Sequence, residues 1–374
     1  MSVLFIGPYR QQDGWGLATQ SYIKAVATQV KELTTRPIFL AGNASNELDS
    51  DLLGYENSVY DQYDVVIQKT LPHCLFYDGR FKKNIGLFVL ETNNISNSRC
   101  VSNINQMDEI WVPSEQEKKC LIKSGVTKPI KSISQPLDIE NIKKYTSHKL
   151  DFNPIVNKTF KFYFIGEYVE RKNIKDLITA FHLAFDINQP VSLILKTSIP
   201  GMSPNDSLKT IEKDLNEIKQ KLNINQRYKK EIIITEKLSY SDIIGLHNSC
   251  DCLVSPSYGE AFCRPVAEAL CLGKTPIVTD NTGMIDYING ENGFVVNSSK
   301  TPVIVDQRTL SKDFDIYNAN EFWYRINIYD LIEKMKLVYQ MHKENRKKLE
   351  EKRDLGLSSM DRFSYSSIGS KLCI

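Results

Sequence analysis

Two carboxylates, Glu260 and Glu268, stand in the segment Ser255-Pro256-Ser257-Tyr258-Gly259-Glu260-Ala261-Phe262-Cys263-Arg264-Pro265-Val266-Ala267-Glu268-Ala269-Leu270. An apolar run ends at Ser255 and a glycine-containing loop follows. Pro265 then suits the first turn of a helix, where its missing N–H is not needed. This places Glu260 in a strand-to-helix loop and Glu268 about one turn inside the helix. Carboxylates so separated need not compete for one proton, and each can accept from a different hydroxyl pair on one extended ligand. The amides of Ala261, Phe262 and Cys263, left over at the helix start, would face a negative group held between them. A sugar joined through diphosphate to a ribose presents its groups in that order. Spacing alone fits equally a Glu260 that caps a turn and a Glu268 on an exposed helix face.

Three other segments invite chemistry. Asp13-Gly14-Trp15-Gly16 precedes a helical pattern from Leu17, so its amides could approach an anion at a helix N-terminus; plain turn geometry explains it equally well. A dinucleotide fingerprint is excluded, because Thr19 occupies the third glycine position and no acidic residue ends the second strand near Ala41. Gly273-Lys274-Thr275 is no phosphate loop, since Glu268 stands where a glycine is required and the chain there leaves a helix for a strand. Asp49-Ser50-Asp51 has the form of a metal-binding carboxylate pair, but it sits among Ser and Asn and reads as a solvated turn. The five histidines form no paired metal spacing, and Cys250 and Cys252 are one residue closer than a metal pair; no metal is expected.

The elements that must position these residues are legible from the pattern. Short apolar runs alternate with helical ones, which is the signature of parallel sheets covered by helices. Strands are predicted at Val3 to Ile6, Pro37 to Ala41, Val65 to Gln68, Ile85 to Leu90, Glu109 to Val112 and Ile130 to Ile133, with helices at Leu17 to Val30 and Glu115 to Lys123. A polar stretch from Tyr145 to Thr159 reads as an interdomain link. Strands resume at Phe160 to Ile165, Val191 to Lys196, Glu231 to Thr235, Cys252 to Ser255, Thr275 to Val278 and Gly293 to Val296. Ile174, Leu177, Ile178, Phe181 and Phe185 form a core-facing helical stripe. Expected domains are 1–150, 151–350 and a terminal segment 351–374. In Lys300 to Tyr324, core packing of Trp323 and Tyr324 is favoured over a role, with Asp306, at a site edge.

The chain has 374 residues, enough for two domains, and 41% hydrophobic and 25% charged residues, which is ordinary globular usage. A formal net charge of +2 lacks the surplus of a general nucleic-acid binder. Eight scattered cysteines read as reduced thiols, and no apolar stretch approaches a membrane span. A cytoplasmic protein with no nucleic-acid partner and no transmembrane segment is expected. The mixed-charge run Lys343 to Arg353 reads as a solvated helix face in preference to a membrane surface.

The Glu260 to Glu268 segment resembles the E-x7-E signature of the family 4 retaining glycosyltransferases. The similarity continues through Gly273, Pro276, Asn281-Thr282-Gly283, Asp286 and Asn292-Gly293-Phe294-Val295-Val296. Further matches are Ile165-Gly166, Arg171-Lys172-Asn173, Leu195-Lys196-Thr197, Leu90-Glu91-Thr92, Asp108-Glu109-Ile110-Trp111-Val112-Pro113-Ser114 and the terminal Arg362-Phe363-Ser364-Tyr365. The resemblance implies an α/β chain of GT-B architecture. In that fold two Rossmann-like domains face across a cleft, and a C-terminal helix returns to the first. It also implies metal-independent transfer of a hexose, with retention, from a nucleoside-diphosphate sugar to a glycan, lipid-linked sugar or protein acceptor. No cofactor is then expected beyond the donor substrate. Domain opening about the Tyr145 to Thr159 link would gate the cleft.

By matching position, Glu260 would hold hydroxyls of the donor hexose and Glu268 the nucleotide ribose. Lys172 would neutralise the diphosphate, assisted by Arg171, Lys196 and the amides of Gly16, Ala261, Phe262 and Cys263. The chain departs from the family pattern twice. Glu167 replaces a frequent Arg after the glycine of the second domain's first strand. Glu91-Thr92 replaces a frequent His, which makes Glu91 a candidate acceptor-side residue. These departures leave open a nucleotide-sugar binder without transferase activity, or a sugar-nucleotide epimerase.

Overall fold

The computed structural model describes residues 1–40, 48–222, 228–304, 317, 318 and 320–374. Asp306 and Ala41 lie outside the described residues. The chain divides into two compact units, Met1–Ile139 with Asp361–Ile374, and Glu140–Met360.

Unit 1 contains a six-stranded parallel sheet of β1 (Ser2–Gly7), β2 (Glu32–Pro37), β3 (Val65–Lys69), β4 (Lys83–Leu87), β5 (Glu109–Val112) and β6 (Ile130–Ser132), in the order β2-β1-β3-β4-β5-β6. β2 precedes the expected Pro37 to Ala41 run. Its sequence, ELTTRP, is too polar to announce a strand, yet Leu33, Thr34 and Thr35 are buried and pair in parallel with β1. β-branched threonine fits the pleat, and the backbone ladder satisfies the peptide groups that hydropathy ignores. β4 likewise lies earlier than expected and ends at Leu87. The C-terminal segment returns to this unit: the Leu137 N–H donates to the Phe363 carbonyl at 2.8 Å, and Leu137 bridges Ser364.

Unit 2 repeats the plan with β7 (Phe160–Ile165), β8 (Val191–Lys196), β9 (Ile232–Ile234), β10 (Cys252–Ser255), β11 (Ile277–Thr279) and β12 (Phe294–Val296), in the order β12-β11-β10-β7-β8-β9. The sequence-predicted stripe on the helix Ile174–Ala184 is buried, with Phe185 just beyond it, and the helix Ile328–Glu344 supplies Leu331, Met335 and Val338 to the same core. An antiparallel hairpin, β13 (Ser298–Pro302) and β14 (Phe322–Ile326), was not anticipated. It carries the fully buried Trp323 against Tyr258.

The units part at Ile139–Glu140 and Met360–Asp361, away from the expected 150 and 350. The stretch Tyr145 to Thr159 belongs wholly to unit 2 and is not the interdomain link. Asn248 Nδ2 donates to the Tyr145 and His148 carbonyls, each at 2.8 Å, and Ser249 Oγ donates to the Leu150 carbonyl. Polar residues had suggested a solvated connection; here Asn153 accepts from the Ile155 and Val156 amides and Asn157 pairs with the Phe152 backbone, so they serve as partners for otherwise unpaired backbone. At the other end, Leu349 of the helix Arg346–Ser358 joins the core of unit 2, and a Cβ on Gly356 would meet Leu270 at 2.8 Å.

Candidate functional site

In an open parallel sheet, ligands gather outside the carboxyl ends of the strands, where the order of connections reverses. In unit 2 that point lies between β7, whose chain continues to β8, and β10, whose chain continues to β11. The loops leaving these two strands carry Arg171 and Lys172, and Glu260.

Backbone and side-chain bonds lace the two loops together. The Tyr258 N–H donates to the Arg171 carbonyl at 2.8 Å, Arg171 Nη1 donates to the Gly259 carbonyl at 2.6 Å, and Asn173 Nδ2 donates to the Pro256 carbonyl at 3.2 Å. A third loop, after β11, joins them through the Gly283 N–H on the Glu260 carbonyl and the Tyr287 hydroxyl on the Phe262 carbonyl. Three non-glycine residues of these loops, Asn173 (φ 52°), Cys263 (φ 62°) and Asn281 (φ 55°), hold left-handed backbone. Such conformations persist only where surrounding structure enforces them, and they cluster at sites of function.

Lys172 Nζ lies 2.5 Å from Glu260 Oε1, with Arg171 Nη1 at 3.3 Å from the same oxygen. Burial works to raise the Glu260 carboxyl, but Lys172 and Arg171, helped by Ser257, outweigh it and hold the group below the ordinary carboxylate range. Glycine at 166 leaves room for this arrangement, since a Cβ there would meet the Phe164 ring at 2.8 Å and approach Lys172 Cδ at 3.7 Å. Lys196 closes β8 beside Ile165 of β7, and burial lowers its ammonium against the opposing pull of Glu236.

Glu268 is not on an exposed helix face. It lies on the buried side of the helix Arg264–Cys271, its Oε1 accepting from Arg264 Nε at 2.7 Å and the Tyr240 hydroxyl at 3.0 Å. His247 Nε2 stands 3.7 Å from Oε2. Burial again opposes ionisation, but Arg264 and His247 prevail and bring Glu268 down to about 2. Glu260 and Glu268 therefore sit in one loop-helix unit with separate sets of partners. Cys263 occupies the N-cap between them without a side-chain cap, and burial pushes its thiol up to about 12.

Sequence reasoning missed Ser257, Tyr240, His247 and Arg264. The i,i+4 spacing of Arg264 and Glu268 was a readable signal for one of them. Tyr240 and His247 come from the helix Tyr240–Ser249, and only the fold brings them to Glu268.

In unit 1 the Gly16 amide is spent within the protein. It donates to Asp13 Oδ1 at 2.9 Å, and Asp13 caps the helix Gly14–Ala27. Glycine is required there for packing, because a Cβ would lie 1.8 Å from the Gln11 carbonyl oxygen. Asp49 caps the helix Ser50–Asn57 through the Leu52 N–H and pairs with Lys24 at 2.7 Å. Glu91 follows β4 in a half-buried loop. That loop is anchored where the Leu90 N–H meets Glu117, whose carboxyl burial holds well above the ordinary range. Among the described residues no cluster of three or more metal-ligating side chains occurs, and no helix is long and apolar enough to cross a membrane.

Residues 148–307 match the family model described as Glycosyl transferases group 1. CapM of Staphylococcus aureus, a capsular polysaccharide biosynthesis glycosyltransferase, is 26% identical over 208 residues, which are 53% of this chain; the match spans about half of that relative. The crystal structure of Anabaena HepE with UDP and glucose superposes with a TM-score of 0.66 at 15% identity, covering 100% of this chain and 98% of that one. A trehalose-6-phosphate enzyme from E. coli bound with UDP-2-fluoro glucose gives 0.65 at 8% identity, covering 99% and 98%. The fold is thus of the α/β GT-B class, two Rossmann-like units each with a parallel sheet.

Proposed function

We propose that this chain is a retaining, metal-independent glycosyltransferase that moves a hexose from a nucleoside-diphosphate sugar to an acceptor. The observation that carries the reading is the Lys172–Glu260 pair, with Arg171 beside it, at the point where the sheet of unit 2 reverses order.

Two cations sharing one carboxylate leave positive charge in surplus. A diphosphate entering beside Lys172 takes up that surplus, and Glu260, released in part from its partner, accepts hydroxyls of the donor hexose. As the bond between phosphate and sugar breaks, negative charge grows on the leaving oxygen. Lys172 and Arg171, assisted by the amides of Ala261, Phe262 and Cys263, stabilise that charge. Lys196, on the neighbouring strand end, adds to the same positive field. Glu268, ionised and fixed by Arg264, retains accepting capacity on Oε2 for the ribose hydroxyls. Glu91 contacts the acceptor. The departing phosphate oxygen takes the acceptor proton, so no separate side chain serves as base.

Donor consumption decides the matter. Purified protein is incubated with UDP-glucose, UDP-N-acetylglucosamine or GDP-mannose and a panel of saccharide and lipid-linked acceptors, and nucleotide release and product anomer are measured without added metal. Turnover that falls in Glu260→Gln and Lys172→Ala supports the reading. Binding of a donor without consumption across the panel would reduce the protein to a nucleotide-sugar binder.

A further inference from the structure

The sheet of unit 1 also reverses order, between β1 and β3, and Lys69 closes β3 at that point. Its side chain is 1% exposed. Among the described residues its ammonium has no hydrogen-bond or ion-pair partner. It lies over the Trp15 ring, whose centroid is 4.9 Å from Nζ. Buried polar groups are rarely left without partners, and a buried ammonium least of all. Asp13, whose charge acts on Lys69, has its carboxylate engaged by the Gly16 amide and Gln11 Nε2. Burial draws Lys69 down to about 7, against the opposing pull of Asp13. The position is closely built: a Cβ on Gly7 of β1 would meet Thr19 at 2.8 Å and Lys69 Cβ at 3.3 Å. Trp15 is only half-buried, so part of its indole remains available as a flat apolar surface.

We infer that unit 1 holds its own ligand site, in which Lys69 pairs with an oxyanion, a carboxylate or a phosphate, on a saccharide that rests against Trp15. The inference builds on the glycosyltransferase reading, in which this saccharide is the acceptor. An anion supplies the partner that the ammonium lacks, and its approach favours the charged form that burial opposes.

Calorimetric titration of the full chain near pH 7 with glucose, glucose 6-phosphate, glucuronate and inorganic phosphate tests it, using wild type, Lys69→Met and Lys69→Arg. Wild type is expected to bind at least one of the two anionic sugars about tenfold more tightly than glucose or inorganic phosphate. The preferred sugar identifies which oxyanion is taken. Lys69→Met should lose the preference and Lys69→Arg keep part of it. Methionine is close to lysine in length and leaves no unpaired charge, so the fold is expected to survive; thermal melting checks this. Equal binding of neutral and anionic sugars by wild type overturns the inference, as does a preference that persists in Lys69→Met. UDP titrated into the same proteins reports on unit 2. Failure of wild type to bind UDP or any donor would undermine the donor reading, while the sugar titrations would still decide this one.

Discussion

Lys172 and Glu260 form a partly buried ion pair whose partners come from different strand-to-helix loops of one sheet, with Nζ and Oε1 2.5 Å apart. Removing either partner of such a pair strands the other in a poorly solvated place, so function and stability respond together.

Lys172→Ala should lower donor turnover by about one to two powers of ten, since a charge-assisted hydrogen bond is worth roughly 1.5–3 kcal/mol. Arg171, 3.3 Å from the same carboxylate, limits the loss of stability. Steady-state kinetics with a saturating acceptor and chemical denaturation of the same variant separate the two effects. Unchanged turnover would remove Lys172 from the mechanism.

Glu260→Gln keeps the shape and removes the charge. It should lower turnover by about 100-fold if the carboxylate acts on the donor sugar as its bond breaks. UDP itself, which lacks the hexose, should bind about as well as before or more tightly, because Lys172 and Arg171 lose their internal anion. A parallel loss of UDP affinity would point to collapse of the loop instead.

Glu268 makes stability depend on acid. Its folded value of about 2 lies below the ordinary 4.5, so its contribution is complete above about pH 4.5 and is lost as pH falls toward 2. The depression corresponds to about 3 kcal/mol at neutral pH. Glu260, also lowered, acts in the same direction. Urea denaturation at pH 7 and pH 3.5 should show a smaller pH-dependent loss in Glu268→Gln than in wild type; equal losses would show that Glu268 is not the group responsible.

Gly16 and Gly14 offer a contrast within one helix start. A Cβ at 16 would lie 1.8 Å from the Gln11 carbonyl oxygen, whereas one at 14 meets nothing within 4 Å. Gly16→Ala should cost more than about 2 kcal/mol through forced backbone movement, and Gly14→Ala should be neutral or stabilising by up to about 1 kcal/mol. Thermal unfolding of the two variants is the measurement.

Thiol labelling should distinguish the cysteines. All eight are free, and Cys74 and Cys373 are the exposed ones. Cys263 is held largely un-ionised by burial even though it borders the candidate site. Brief alkylation at pH 7.5 followed by mass mapping should modify Cys74 and Cys373 and spare Cys263; rapid modification of Cys263 would show that its loop opens.

The buried strands were legible because hydrophobic runs carry their own signal. β5, β7, β8 and β10 fall where the pattern puts them, since each is a short apolar stretch with polar punctuation. β2 escaped because ELTTRP owes its place to parallel pairing with β1 and not to hydropathy. Glu260 and Glu268 stood out through residue type and spacing along the chain, and Lys172 only through the resemblance to a family pattern. What their side chains touch was decided by tertiary structure: burial and neighbouring charge depend on loops and helices far apart in sequence, so Tyr240, His247 and Ser257 could not be read in advance. Lys69 shows the same limit from the other side. In sequence it is a lysine ending an apolar strand. Its solvation and its lack of a partner arise only when β1, β3 and the turn bearing Trp15 close around it, because desolvation and pairing belong to a place in space and not to a position in a chain.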